Sequence, residues 1–247
     1  MTNLETVRDP ATRADGVEDL LNCPRTGQGM RLSGGAYVSE ADPRVTFPIE
    51  EGIVRAFVPH EPTAGDVSEA IKVFYEENPF PNYEGMEDVG SLIEKSVGRG
   101  FPEMLNRSIR PGATVLEVGC GTGQLGSFLS ISSRRVLSVD LCWNSLRLGE
   151  RFRRANGLPN ITFAQMNLFR LPLERERFDV VICTGVLHHT ASPRSGFMGL
   201  VSLVRPGGHV LVGLYNRYGR RKTRWRRQLA KVFGERVAAL DPYISTY

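Results

Sequence analysis

The sequence predicts an α/β fold: a doubly wound, mostly parallel sheet over residues 110–247, behind a small β-rich N-terminal module. Three observations carry this. Five short runs rich in Val, Leu and Ile, "ATVLEV", "RVLSVD", "ITFAQ", "FDVVICT" and "HVLVGLY", recur from Ala113 onward with helical sequence between them. Runs apolar on both faces and joined by helices belong to a parallel sheet covered on both sides. The first run ends in three glycines at alternate positions, Gly119, Gly121 and Gly123, and the second ends in Asp140. A strand, a glycine turn and a helix, with an acid about twenty residues on, is a nucleotide-binding layout.

The elements follow in order. Residues 1–19 have little apolar content and are expected to be mobile. Residues 20–62 carry short β-like pieces punctuated by Gly and Pro, which predicts a small hairpin-rich module. Residues 63–109 read as a helical lid or linker. In "AGDVSEAIKVFYEEN" the residues Val67, Ala70, Ile71, Phe74 and Tyr75 share one helical face. "VGSLIEKSVGRGFPEMLNRSI" is less regular, and Gly98 and Gly100 are expected to break it. Between the two, "PFPNYEG" is a proline-constrained loop.

Composition bounds the function. The apolar and charged fractions, 41% and 23%, are those of an ordinary soluble protein. The sequence lacks an apolar stretch of spanning length, and "MTNLETVRDPATRADGVED" has no signal-peptide core, so a cytoplasmic location is expected. Four scattered cysteines, Cys23, Cys120, Cys142 and Cys183, fit reduced thiols better than a disulfide framework. The net charge of +4 is local in origin: "NRYGRRKTRWRRQLAK" holds eight Lys or Arg and no acid. That segment, residues 217–231 in the main, reads as a solvated helix face. The competing reading is a phosphate-facing patch for RNA or an anionic lipid surface, with Trp225 interleaved.

Two nucleotide readings compete at the glycines. Gly121, Gly123 and Gly126 satisfy G-x-G-x-x-G, with Asp140 at the right distance, which fits an NAD(P)-dependent oxidoreductase. Against it, Glu117 lies inside the strand two residues ahead of Gly119, giving E-x-G-x-G-x-G. A third reading, from a different class, is a non-catalytic nucleotide-fold module that binds RNA or a protein partner. Ligands of such sheets lie beyond the carboxyl ends of the strands, so the residues after each run matter most.

Those residues form a series: "FAQMNLFRLP", "FDVVICTGVLHH" and "LVRPGGHVLVG". With them, residues 110–215 resemble the class I S-adenosylmethionine-dependent methyltransferases. The resemblance implies a Rossmann-like methyltransferase core, S-adenosyl-L-methionine as cofactor, and methyl transfer to an O, N or C nucleophile of a small-molecule acceptor. It implies that the turn of Gly119, Cys120, Gly121 and Gly123 approaches the methionine and ribose moieties. Glu117 would brace that turn, Asp140 would hold the ribose hydroxyls, and Leu141 would pack on adenine. Asn167 stands where the family usually has Asp and would accept from the adenine amino group. The Leu168 N–H would reach the adenine ring, and the Thr184 carbonyl would face the cofactor's ammonium. His188 and His189 are the candidate general bases, since histidine titrates near neutral pH. Glu76, Glu77, Asn82 and Tyr83 are candidates for the substrate mouth.

"FYEENPFPNYEG" also resembles a segment ahead of the methyltransferase core in a group of bacterial proteins. The module around Cys23 resembles a zinc-ribbon-like N-terminal domain. Thr26 occupies the place of the second ligand and no second cysteine pair follows, so no metal is expected and Cys23 is read as a small buried apolar residue. The resemblance implies seven strands, the last two a hairpin beside the fifth. The residues after "HVLVGLY" are too few for it, which leads to the expectation of an incomplete core with an exposed sheet edge open to self-association.

Overall fold

The computed structural model describes residues 16–60 and 68–216. The chain divides into two compact units, Met1–Val212 and Gly213–Tyr247. Of the second, only residues 213–216 are described, so the basic segment and the expected terminal strands lie outside the described residues.

The strands are β1 (Met30–Ser33), β2 (Ala36–Ser39), β3 (Thr46–Glu50), β4 (Ile53–Arg55), β5 (Thr114–Val118), β6 (Arg135–Asp140), β7 (Ile161–Gln165), β8 (Phe178–Thr184) and β9 (Val204–Gly213). The helices are α1 (Ser68–Glu77), α2 (Val89–Val97), α3 (Phe101–Ser108), α4 (Gln124–Ser130), α5 (Trp143–Ala155) and α6 (Pro193–Val201). One sheet orders the strands β1-β2-β3-β4-β7-β6-β5-β8-β9. The pairs β5–β6, β6–β7 and β5–β8 are parallel. From β5 the chain winds outward through β6 to β7, then returns to β8 and β9 on the other side. The order reverses between β5 and β8, and the carboxyl ends there are where such a sheet binds ligands.

Adjacent strand residues point to opposite faces, and both faces are buried. Val115, Val136, Ile161, Phe163 and Ile182 pack with Leu92, Leu105, Phe128, Leu129, Leu146 and Phe152, the apolar side of α2 to α5. On the other face Leu116, Val118, Leu137, Val139, Val181 and Cys183 pack with Leu20, Leu21, Leu187 and Leu200. Buried Arg134 joins layers: its guanidinium donates to the carbonyls of Asn106 and Leu129 and, through Nε, to that of Ile109 at 3.0 Å. These are the carboxyl ends of α3 and α4, where a cation is favoured.

The expected break at Gly98 and Gly100 is present: Gly98 closes α2, and Gly100, with φ 70°, opens α3. Three expected boundaries move. Val17 is buried and Asp19 pairs with Arg135, so residues 16–19 pack against the sheet region, while the rest of the expected mobile segment lies outside the described residues. The β-rich module is continuous with the main sheet, because β4 pairs parallel with β7 at Val54–Ala164. Within the expected lid or linker region, α2 and α3 supply core residues beneath the sheet, among them Leu92 and Leu105.

Cys23 is buried, yet it is not simply apolar. It sits in a turn in which Gly27 N donates to Cys23 O at 2.8 Å and Cys23 N to Gln28 O at 2.7 Å. Burial opposes ionisation, but hydrogen bonds from Ser39, Thr26 and the local amides outweigh it and bring the thiol down to about 7. Among the described residues no cluster of His, Cys, Asp or Glu could hold a metal ion, and no helix is long and apolar enough to cross a membrane.

Candidate active site

The site is assembled where β5, β6, β7 and β8 end. After β5, Gly119, Gly121 and Gly123 all have positive φ, at 71°, 56° and 71°, so the turn needs residues without a Cβ. Each glycine is also closely approached, and by the protein itself. A Cβ at Gly119 would collide with Val186, at Gly121 with the Phe80 carbonyl oxygen, and at Gly123 with the Phe163 ring. These glycines make room for the protein's own neighbours. They admit the β8–α6 loop, the proline-constrained loop and a β7 side chain.

Asp140 ties the turn to the end of β6. Its Oδ2 accepts from Gly121 N at 2.7 Å and its Oδ1 from Cys142 N at 2.8 Å. Burial raises its carboxyl above the usual carboxylate range, against those two donors. Glu117 lies one layer deeper, where Oε2 accepts from Gly126 N at 3.0 Å and from the Ser138 hydroxyl at 2.9 Å. It therefore braces the first turn of α4. Burial pushes it up to about 7, opposed by those two hydrogen bonds and reinforced by the Asp140 charge. Cys120 is buried beside both acids, and its thiol is raised by burial and then by their charge.

Residues 115–208 match the family described as "Methyltransferase domain". This segment is similar to a methyltransferase domain. An uncharacterized protein of Synechococcus sp. is 29% identical over 178 residues, covering 69% of this chain and 42% of that protein. A ubiquinone biosynthesis O-methyltransferase of Acinetobacter baumannii is 33% identical over 107 residues, covering 43% of this chain and 45% of that enzyme. Both matches span less than half the length of the curated relatives. The crystal structure of a SAM-dependent methyltransferase from Aquifex aeolicus superposes with a TM-score of 0.42 at 20% identity, over 45% of this chain and 62% of that one.

The other residues expected at the site follow β6, β7 and β8. Leu141 is half-buried and its carbonyl accepts from Gln165 Nε2 at 2.9 Å. Asn167 turns its Oδ1 onto Phe169 N at 3.0 Å, which shapes the loop after β7. Leu168 is half-buried there and lies against the position of a Gly196 Cβ. Phe169 stacks on His60 with centroids 5.0 Å apart, joining the segment after β4 to this loop. Thr184 ends β8, and Gly185, with φ 78°, follows it with open space where a Cβ would stand. His188 and His189 form a short 3-10 turn with ring centroids 4.1 Å apart.

Two mouth candidates have other work. Glu76 accepts from Trp143 N at 2.7 Å and Asn144 N at 2.8 Å, and so caps α5. Tyr83 donates to Thr122 O at 2.9 Å and stacks on Phe152, and burial drives its phenol well above the ordinary range. Asn82 and Glu77 are exposed, although the Asn82 carbonyl accepts from Gln124 Nε2 at 2.6 Å. Sequence reasoning missed Thr122 and Gln124, whose side chains fasten the proline-constrained loop to the glycine turn. The glycine motif drew attention to its glycines alone.

Proposed function

We propose that this chain is an S-adenosylmethionine-dependent methyltransferase acting on an O, N or C nucleophile of a small-molecule acceptor. The observation that carries the reading is the clasp of Asp140 on Gly121, which sets a carboxyl group against the glycine turn at the carboxyl end of β5, the strand beside the reversal of order. Each Asp140 oxygen uses one lone pair on a backbone N–H, and a carboxylate has about four acceptor sites. The remaining capacity suits the two ribose hydroxyls. The open space at Gly185 suits close approach of a ligand beside Thr184.

In this reading Asp140 holds the ribose, with Leu141, Asn167 and Leu168 around the adenine. Gly119, Cys120, Gly121 and the Thr184 carbonyl flank the methionine moiety. Glu117 acts from beneath on α4. The bound cofactor supplies a methyl group already activated on a sulfonium. What remains for the chain is in-line orientation of the acceptor and exclusion of water. An acceptor hydroxyl must also lose a proton, and His188 and His189, directly after β8, are the groups to take it at a ring nitrogen. The ubiquinone-pathway O-methyltransferases among the relatives favour an oxygen acceptor.

Calorimetric titration with S-adenosylmethionine, S-adenosylhomocysteine and NAD tests the reading. Binding of the first two is expected. NAD binding alone would establish the oxidoreductase alternative, and binding of none would favour a non-catalytic module.

A further inference from the structure

Three consecutive amides after β6 end on carboxylates. Cys142 N donates to Asp140 Oδ1 at 2.8 Å, Trp143 N to Glu76 Oε1 at 2.7 Å, and Asn144 N to Glu76 Oε2 at 2.8 Å. The first belongs to the turn that carries Asp140 and Leu141. The next two are the opening residues of α5, whose N-cap residue, Cys142, supplies no side-chain cap. Glu76 comes from α1. Its carboxylate satisfies two orphan donors and meets the positive end of the helix dipole, in a charge-assisted geometry stronger than a neutral cap.

Further contacts hold the same junction. Asn144 Nδ2 donates to the Glu76 carbonyl at 3.0 Å, and the Cys142 thiol donates to the Lys72 carbonyl at 3.8 Å. A few residues on, the same stretch of chain grips the glycine turn. Thr122 Oγ1 donates to Pro81 O at 2.5 Å, Gln124 Nε2 to Asn82 O at 2.6 Å, and Tyr83 to Thr122 O at 2.9 Å. Residues 72–83 thus fasten both loops that meet at Asp140, and Phe80, 70% exposed, rides on this strap over Gly121.

We propose that Glu76 is a positioning residue for cofactor binding: by holding Trp143 and Asn144 it sets the Asp140–Leu141 turn in the ribose-binding arrangement. The proposal rests on the methyltransferase reading. It also makes the strap responsive. Because Glu76 is coupled to the turn, a cofactor that stabilises the turn stabilises the strap by the same free energy.

The test uses Glu76→Ala and Glu76→Gln in the full chain, with S-adenosylhomocysteine as the probe. Glu76→Ala is expected to weaken binding about tenfold, within the usual range of coupling between sites. Glu76→Gln keeps one acceptor oxygen and should fall between it and the wild type. Without ligand, amide hydrogen exchange should accelerate at Trp143 and Asn144 in both variants. With saturating S-adenosylhomocysteine, wild-type exchange across residues 76–83 should slow. If Glu76→Ala does not fold, Glu76→Gln carries the comparison. Wild-type affinity in a variant with accelerated exchange would overturn the proposal alone. A wild-type protein that binds no S-adenosylhomocysteine would sink the methyltransferase reading, and the proposal with it.

Discussion

Asp140 Oδ2 lies 2.7 Å from the amide nitrogen of Gly121, so the acid that ends β6 is the clasp of the turn that follows β5. Two neighbouring strands thereby fix each other's loops, and the proposed ribose acceptor is also an element of the fold. Asp140→Ala removes both roles. Hydrogen bonds to a charged acceptor are worth about 1.5–3 kcal/mol, so affinity for S-adenosylhomocysteine should fall roughly tenfold to a hundredfold. Calorimetry on folded variant checks this, and an unchanged dissociation constant would remove Asp140 from the site.

Glu117 makes stability depend on pH. Its carboxyl, ordinarily near 4.5, is pushed up to about 7 in the fold by burial. The folded state therefore holds a proton that the unfolded chain has released between those values. Stability contributed by that proton is fully present below about 4.5 and is lost as pH rises to about 7. Glu117→Gln keeps an oxygen acceptor and cannot ionise. The wild type should lose roughly 3 kcal/mol more than the variant between pH 5 and 8. Urea unfolding at both pH values measures it, and parallel losses would show that Glu117 titrates normally.

The sheet was legible because its strands are buried on both faces, and "TVLEV" or "FDVVICT" leaves little choice of environment. The α2–α3 break was legible because two glycines two residues apart rarely lie inside one helix. The parallel pairing of β4 with β7 was not, because the three residues of "IVR" carry no signal of which distant strand they join. Gly121 announced a close approach, but a glycine does not name its visitor, and the visitor is the Phe80 carbonyl. Glu76 read as a mouth residue because its partner amide lies 67 positions away on another helix. Local pattern identifies elements, whereas contacts between distant elements decide what a polar residue does.

Arg134 is 2% exposed, and its guanidinium donates to neutral oxygens on residues 106, 109 and 129. Burial accordingly lowers its pKa. Lysine offers a point charge in place of the planar fork and cannot reach both helix ends. Arg134→Lys should therefore destabilise the fold by about 2–4 kcal/mol, through carbonyls left unpaired. A chemical denaturation midpoint equal to that of the wild type would show that these carbonyls find other donors.

Gly126 sets a local preference against a tertiary one. It lies inside α4, where alanine is ordinarily better than glycine by about 1 kcal/mol. Here a Cβ would collide with the Ser138 hydroxyl oxygen and lie 2.6 Å from Glu117 Oε2. Those two atoms hydrogen-bond each other, and Glu117 Oε2 also receives the Gly126 N–H. The methyl group must therefore push apart the brace that seats α4 against β5 and β6. Overpacking of this kind costs about 1–3 kcal/mol and exceeds the gain in helix propensity. Gly126→Ala should thus be destabilised, with a lower affinity for S-adenosylhomocysteine because α4 begins directly after the glycine turn. Combining it with Ser138→Ala frees the space of one oxygen and should recover part of the loss. Thermal unfolding of the two single variants and the double variant decides it. A stabilised Gly126→Ala would mean that α4 is free to shift and that Glu117 does not seat it.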